Sequence, residues 1–277
     1  MTTPQQIAIQ GERGSNSHIA ALQMLGSDIK ILPCSLSADV VAAVLSARVD
    51  GAVLPIENSL HGSVAEHYDL LLDHPLRIES EGLLRIEHNV IAAPGVRLQD
   101  LRTLLSHPVA LSQCRHFLAS FTQGRALPFY DTAGSVRHVV MEGLRDVAGI
   151  APRLAAEIYG GEVLVANIED HHENFTRFHL LRHEQAPALP MIGPADKLSL
   201  AFAVEHRPGT LVQALAALAA AGANLTKIES RPVRGRPWEY VFFVDLRFEG
   251  EAMAEAVLRT LRAHCSLVKE LGRYQAA

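Results

Sequence analysis

Short apolar runs alternate with helical stripes over the first two thirds of the chain. Residues 7–9 form a brief β-type run that enters Gly11-Glu12-Arg13-Gly14-Ser15-Asn16-Ser17, after which Ile19, Leu22 and Leu25 recur at helical spacing, with Ser15 or Ser17 as the expected N-cap. The cycle repeats with strands at 30–32 and 51–56 and helices over 38–47 and 64–72. Two extended segments, 76–86 and 89–93, are turned by Pro94-Gly95; strand 103–105 opens into Ser106-His107-Pro108, and a helix is expected over 113–121. Strand 126–130, a helix from Asp131-Thr132 to Gly143, strand 147–150, helix 152–159 and strand 163–168 complete the series. A polar connection over 169–174 then leads to a last strand at 175–181. This alternation predicts an α/β fold with parallel or mixed sheets.

The pattern changes after Arg182. Pro187, Pro190, Gly193 and Pro194 fall within twelve residues and read as a linker. Beyond it Leu198, Leu200, Phe202 and Val204 alternate, Leu211, Leu215 and Leu218 share a helix face, and 225–230 is a strand. Tyr240, Phe242, Val244, Leu246 and Phe248 alternate again, Met253, Val257 and Leu261 mark a helix, and 267–271 is the final strand. That order is the βαββαβ of a ferredoxin-like unit. Its helices cover one sheet face, and the other face and the edges are expected to pair with a second copy. The resulting limits are 1–185, a linker at 186–196, and 197–277.

Composition narrows the setting. The 277 residues, 48% of them hydrophobic, suffice for sizeable cores, and a net charge of −5 without long basic runs gives no reason to expect nucleic acid or a membrane surface as partner. Cys34, Cys114 and Cys265 are odd in number and far apart, which suits a reducing compartment. The start at Met1 to Gln6 lacks a leader pattern and the alanine-rich run at 214–221 is too short to span a bilayer, so a cytoplasmic location is expected.

Four loops, near Gly14, Asn58, Gln113 and Thr132, feed small polar residues into expected helix starts. One such loop reads as capping; four on the carboxyl side of a sheet point to an anion-binding cleft. Neither a dinucleotide fingerprint nor a P-loop is present. In 175–181, Phe175, Arg177 and His179 share one face and Thr176, Phe178 and Leu180 the other. The strand is expected to return Thr176 and Arg177 to the cleft, and a guanidinium there calls for a planar anion. His171-His172 lack the spacing that sets two ligands on one helix face, so no metal is expected.

Several stretches, in order and spacing, resemble the prephenate dehydratase family: G-E-R-G-S-N-S-H-I-A-A at 11–21, P-I-E-N-S at 55–59 with Gly62 and Val64, S-H-P-V-A-L-S-Q-C at 106–114, and N-F-T-R-F at 174–178. The carboxyl part resembles an ACT regulatory domain through G-T-L-V at 209–212 and E-S-R-P at 229–232. The first loop departs from the family pattern, Gly-Ser-Asn-Ser replacing Gly-Thr-Phe-Ser, as does D-T-A-G-S-V at 131–136. The resemblance implies a two-lobed, periplasmic-binding-protein-like catalytic domain with an interlobe cleft, followed by the ACT domain. No chorismate mutase-like helix precedes the catalytic half, so the chain reads as monofunctional.

The implied reaction is decarboxylating dehydration of prephenate to phenylpyruvate in phenylalanine biosynthesis, driven by aromatisation and needing no cofactor. The resemblance implies Thr176 at the departing hydroxyl, Glu57 as its supporting neighbour and Arg177 at the pyruvyl carboxylate. Asn58, Ser59, Ser106, Gln113 and Thr132 are implied as orienting groups, with Phe178 packing the strand behind Thr176. It further implies phenylalanine as allosteric effector at Gly209, Leu211, Val212, Asn224, Glu229, Ser230, Arg231 and Pro232, and a homodimer or homotetramer. Arogenate dehydration and a non-catalytic two-lobed amino-acid or anion sensor are the alternatives.

Overall fold

The computed structural model describes residues 4–189, 193–233, 235 and 238–277; the first three residues and Pro190 of the expected linker lie outside these. In chain order the elements begin β1 (Gln5–Gln10), α1 (Asn16–Leu25), β2 (Ile29–Cys34), α2 (Ser37–Leu45), β3 (Gly51–Asn58), β4 (Gly62–Ser63), α3 (Ala65–Asp73), β5 (Leu76–Arg85) and β6 (Asn89–Ala92). They continue β7 (Thr103–Ser106), α4 (Pro108–Ser112), α5 (Arg115–Ser120), β8 (Arg125–Pro128), α6 (Thr132–Met141), β9 (Val147–Ala151), α7 (Arg153–Tyr159), β10 (Glu162–Val165) and β11 (Phe175–His183). The carboxyl part adds β12 (Lys197–Ala203), α8 (Thr210–Ala220), β13 (Asn224–Pro232), β14 (Tyr240–Arg247), α9 (Glu251–His264) and β15 (Leu267–Tyr274).

The chain forms two compact units, Met1–Ser63 with Gly82–Phe178, and Val64–Glu81 with His179–Ala277. The first unit holds two α/β lobes. One is built on a sheet of order β2-β1-β3-β11-β5, with β4 on β3, in which residues 179–183 of β11 and 76–81 of β5 belong to the second unit, and the other on β10-β6-β9-β7-β8. The β1–β2 and β1–β3 pairs are parallel, as the strand and helix alternation requires, and Ile7, Ile9, Val53, Leu54 and Ile56 fill the first core. Val90, Leu104, Ile150 and buried Cys114 fill the second, where burial pushes the thiol of Cys114 well above its ordinary range.

Two local expectations fail. Instead of one helix over 113–121 there are two, because Pro108 starts a helix at its first position and the chain breaks at Gln113. The second start is fixed from elsewhere, by the Asp170 carboxylate, which accepts the N–H groups of Arg115 and His116, both at 2.9 Å. Gln113 is therefore a C-cap, not a helix-start residue. Likewise β10 ends at Val165 rather than 168, since Asn167 turns to φ 55° and Ile168 donates to His88 O.

In the second unit the sheet order is β13-β14-β12-β15, with α8 and α9 over Leu198, Leu200, Phe202, Val244 and Leu246. On the opposite face, expected to pair with a second copy, lies the chain's own α3. Tyr68 packs edge-on to Phe243 at 5.1 Å, Arg231 pairs with Asp69 at 3.0 Å, and Lys269 caps α3 through the carbonyls of Leu71, Leu72 and His74. Beside it Lys197 bonds both oxygens of the buried Glu81 carboxylate, at 2.8 and 3.0 Å, and Ser199 joins Asp245 to Tyr274.

Candidate active site

Strand pairing between β3 and β11 sets the site. Period-two alternation puts Asn58 and Thr176 on one side of these strands and Glu57 and Arg177 on the other. On the first side Asn58 Nδ2 donates to Thr176 Oγ1 at 2.9 Å, to Asn174 Oδ1 at 2.8 Å and to Phe175 O at 3.1 Å. Its Oδ1 accepts the N–H groups of Leu60 and His61, both at 3.0 Å, so one amide folds the turn after β3 and also grips the Thr176 hydroxyl. Ser59 completes the clamp, its hydroxyl accepting from Phe175 N and donating to Glu173 O.

On the other side Arg177 meets Glu57 at 2.9 Å, its side chain only 10% exposed. The planar anion expected for Arg177 is thus supplied from within the chain. Glu57 faces Arg177, and the group hydrogen-bonded to Thr176 Oγ1 is the amide of Asn58. Consecutive strand residues point to opposite faces, so Thr176 meets Asn58 while Arg177 meets Glu57.

From the second lobe, Gln113 reaches the same turn, its Nε2 lying 3.1 Å from His61 Nδ1. Its Oε1 lies 2.8 Å from Nε2 of His88, a buried imidazole that desolvation holds below its ordinary pKa. A cavity of about 360 Å³ opens here, lined by Leu60, His61, Ser112, Gln113, Arg115, His116, Asp170 and His171. Arg115 is the fixed cation of this wall and Asp170 its carboxylate, with three histidine rings between them. Sequence reasoning missed His61, His88 and Arg115, since nothing local marks a lone histidine or arginine as site-facing.

The other expected residues divide. Ser106 is fully buried and its hydroxyl donates to Ile150 O at 2.6 Å, which serves the sheet. Phe178 is a core aromatic, 1% exposed. Thr132 is the first residue of α6, whose cap is Asp131, accepting from Gly134 N at 2.7 Å. In the first loop Ser15 takes the N-cap position but its hydroxyl bonds no N–H and is buried without a partner; Ser17 lies inside α1. That loop contacts the second lobe instead. Glu12 accepts from Tyr130 and Arg137, each at 3.0 Å, Arg13 O accepts from Tyr159, and Gly14 lies so near Ala155 that a Cβ would sit 2.8 Å from its Cα.

Of the expected effector residues, Gly209 takes a left-handed conformation at the start of α8, with Val212 largely exposed and Leu211 half-buried. Asn224, Ser230 and Pro232 are exposed along the edge strand β13, Glu229 is half-buried, and Arg231 is the partner of Asp69.

With this geometry in view, the similarities to known proteins are informative. The family model described as "Prephenate dehydratase" matches residues 7–186, and that described as "ACT domain" matches 199–265. The chain belongs to the prephenate dehydratase family. A protein of Arabidopsis thaliana named arogenate dehydratase/prephenate dehydratase 2, chloroplastic, is 39% identical over 279 residues, covering 97% of this chain and 72% of that one. The prephenate dehydratase of Arthrobacter aurescens solved in complex with L-Phe has a TM-score of 0.87 at 30% identity, covering 98% of this chain and 90% of that one. GqqA, described as a novel type of quorum quenching acylase, has a TM-score of 0.88 at 35% identity, covering 99% and 98%. The chain is therefore a lyase-type dehydratase with a carboxyl-terminal ACT domain, and no helix among the described residues is long and apolar enough to cross a membrane.

Proposed function

We propose that this dehydratase converts prephenate to phenylpyruvate, CO2 and water. The observation that carries the reading is the 2.9 Å hydrogen bond from Asn58 Nδ2 to Thr176 Oγ1. By occupying an oxygen lone pair, the amide turns the Thr176 proton outward and makes the hydroxyl a better donor. The ring carboxylate leaves as CO2, its bonding electrons flow into the ring, and the C–O bond at the far ring carbon breaks. The departing oxygen gains a proton from solvent, with Thr176 donating or relaying it in the transition state. Arg115 in the cavity wall supplies positive charge for the carboxylates, with ring N–H donors from His116 and His171 beside it, a part first expected of Arg177. Arg177 and Glu57 instead fix β11 against β3. Residues 1–185 form the catalytic domain, 186–196 the linker and 197–277 the ACT domain, a division supported by the family matches at 7–186 and 199–265.

Incubating purified protein with prephenate and, separately, arogenate, while following phenylpyruvate and phenylalanine, tests this reading. The naming of the Arabidopsis relative for both substrates makes arogenate the second reading; preferential release of phenylalanine from arogenate would establish it, and no product from either substrate would favour the sensor. Amide hydrolysis, suggested by the acylase neighbour, needs an activated nucleophile. Ser112 Oγ lies 3.1 Å from His61 Nε2 but donates to Val109 O at 2.7 Å, which favours dehydration.

Phenylalanine is the proposed effector, supported by the ACT match and the L-Phe complex of the Arthrobacter protein. It must bind two arrangements of the chain unequally to alter turnover. Association through β13 and the exposed Val212, Leu225, Ile228 and Tyr240 is the proposed route to a homodimer or homotetramer.

A further inference from the structure

Four side chains form a line across the two lobes of the first unit, and their hydrogen bonds fix every proton in it. Ser112 Oγ lies 2.7 Å from Val109 O, which can only accept. The single hydroxyl proton therefore points to Val109, and Ser112 Oγ accepts from His61 Nε2, 3.1 Å away. His61 is then the neutral Nε2–H tautomer, and its Nδ1 lone pair takes an N–H from Gln113 Nε2 at 3.1 Å. That sets Gln113 Oε1 toward His88 Nε2 at 2.8 Å, which must carry a proton.

The far end gives the same answer independently. His88 is 1% exposed, and its Nδ1 is buried with no hydrogen-bond partner. Reversing the Gln113 amide would move the proton to that nitrogen, and a buried N–H without an acceptor is costlier than a bare lone pair. Burial also holds His88 neutral. Only one arrangement satisfies both ends.

We propose that His61 is a positioning residue for the dehydration, the neutral bridge that holds Gln113 and the Asn58 turn in register. It rests on the dehydratase reading above. His61 N is bound by Asn58 Oδ1, and Asn58 holds Thr176, so the line from His88 ends at the reacting hydroxyl. The groups that face His61 are Ser112, Gln113 and Arg115 of the α4–α5 segment, His116 of α5, and Asp170 and His171 of the connection before β11. His116 is itself 3.3 Å from Asp170. Beyond Gln113 lies His88, whose backbone N–H is held by Glu169.

The test uses the full chain, with His61→Leu and His61→Gln. A glutamine keeps a neutral donor and acceptor on one planar group but cannot titrate. Two readouts run together: kcat and KM for prephenate and arogenate from pH 5 to 8.5, and nitrogen-15 chemical shifts of the imidazoles. The expected result is about a tenfold loss of kcat/KM in His61→Leu at pH 8 and recovery to within about threefold in His61→Gln. Spectra of the wild type should show His61 and His88 as Nε2–H tautomers, and His88, whose buried Nδ1 has no acceptor, should keep that tautomer in His61→Leu. Wild-type kinetics in His61→Leu across the pH range would overturn the proposal, as would a wild-type His61 protonated on Nδ1. A wild type that turns over neither substrate refutes the dehydratase reading and the catalytic part of this one, whereas the spectra decide the proton arrangement by themselves.

Discussion

Replacing Asn58 by alanine removes the amide that joins the turn after β3 to Thr176. Five contacts vanish: three from Nδ2, to Thr176, Asn174 and Phe175, and two into Oδ1, from Leu60 and His61. The two turn N–H groups are exposed and water replaces the lost acceptor at little cost. Asn174 is fully buried and Thr176 is 8% exposed, so their oxygens each lose a donor where water enters with difficulty. A buried polar atom stripped of its partner costs about 1–3 kcal/mol, and partial water entry brings the pair to about 2–4 kcal/mol. Set against about 5–15 kcal/mol for a typical domain, the variant stays folded but melts earlier, as denaturant titration will show.

Its effect on turnover separates orientation from binding. Without the amide the Thr176 hydroxyl rotates freely, and the expected fall in kcat is about a hundredfold, with KM changed far less. Asn58→Asp is the sharper variant, because it restores the acceptor for the turn and reverses the contact to Thr176. A carboxylate at that place accepts a hydrogen bond from the Thr176 hydroxyl and holds its proton toward residue 58, so activity stays low at neutral pH despite the near-identical shape. Steady-state dehydration of prephenate, monitored by phenylpyruvate absorbance, reads both. A folded Asn58→Asp enzyme within about threefold of wild-type kcat refutes the orientation argument, whatever the stability data show.

Other consequences are testable as well. Thr176→Ala should lower kcat far more than it weakens substrate binding; equal losses in both would remove the transition-state role. Lys197→Met leaves the Glu81 carboxylate, 4% exposed, beside the buried Asp245, and should destabilise the second unit by about 3 kcal/mol, with Glu81→Leu added in the same chain recovering most of it in a melting experiment. Gly14→Ala combines φ +89° with a Cβ 2.8 Å from Ala155 Cα, so it should lose about 2 kcal/mol or more, and an unchanged denaturation midpoint would contradict the close approach. Burial, with the carboxylate of Glu12, raises Tyr130 to about 12, so the folded state holds its proton more tightly than the unfolded chain. This contribution is present below about pH 10 and is lost as pH rises through about 12. Tyr130 is mostly exposed, so the effect is small: stability of the wild type should fall slightly more than that of Tyr130→Phe between pH 9 and 11.5.

Much of this protein could be read from residue order because its signals are local. The β-type run at 7–9, the helical spacing of Ile19, Leu22 and Leu25, and the alternation in Leu198 to Phe202 each depend on neighbours within a few positions, and each became the expected element. The N-F-T-R-F stretch likewise identified the strand that carries Thr176, and alternation within it already separated Thr176 from Arg177. Partners across distance were not legible. Asp170 starts α5 from 55 positions away, Asn58 grips Thr176 over 118, and α3 comes to lie on a sheet whose residues begin more than a hundred positions later. Sequence alone determined most of the strands and helices, the region from 108 to 121 and the end of β10 excepted, and the family motifs they carry, because those follow from short-range sterics and periodicity. Only the tertiary structure decided that Arg177 belongs to Glu57, that Thr176 belongs to Asn58, and that His61, Gln113 and His88 share one line of protons. Those pairings depend on which strand lies beside which, and no local pattern encodes a neighbour brought in by folding.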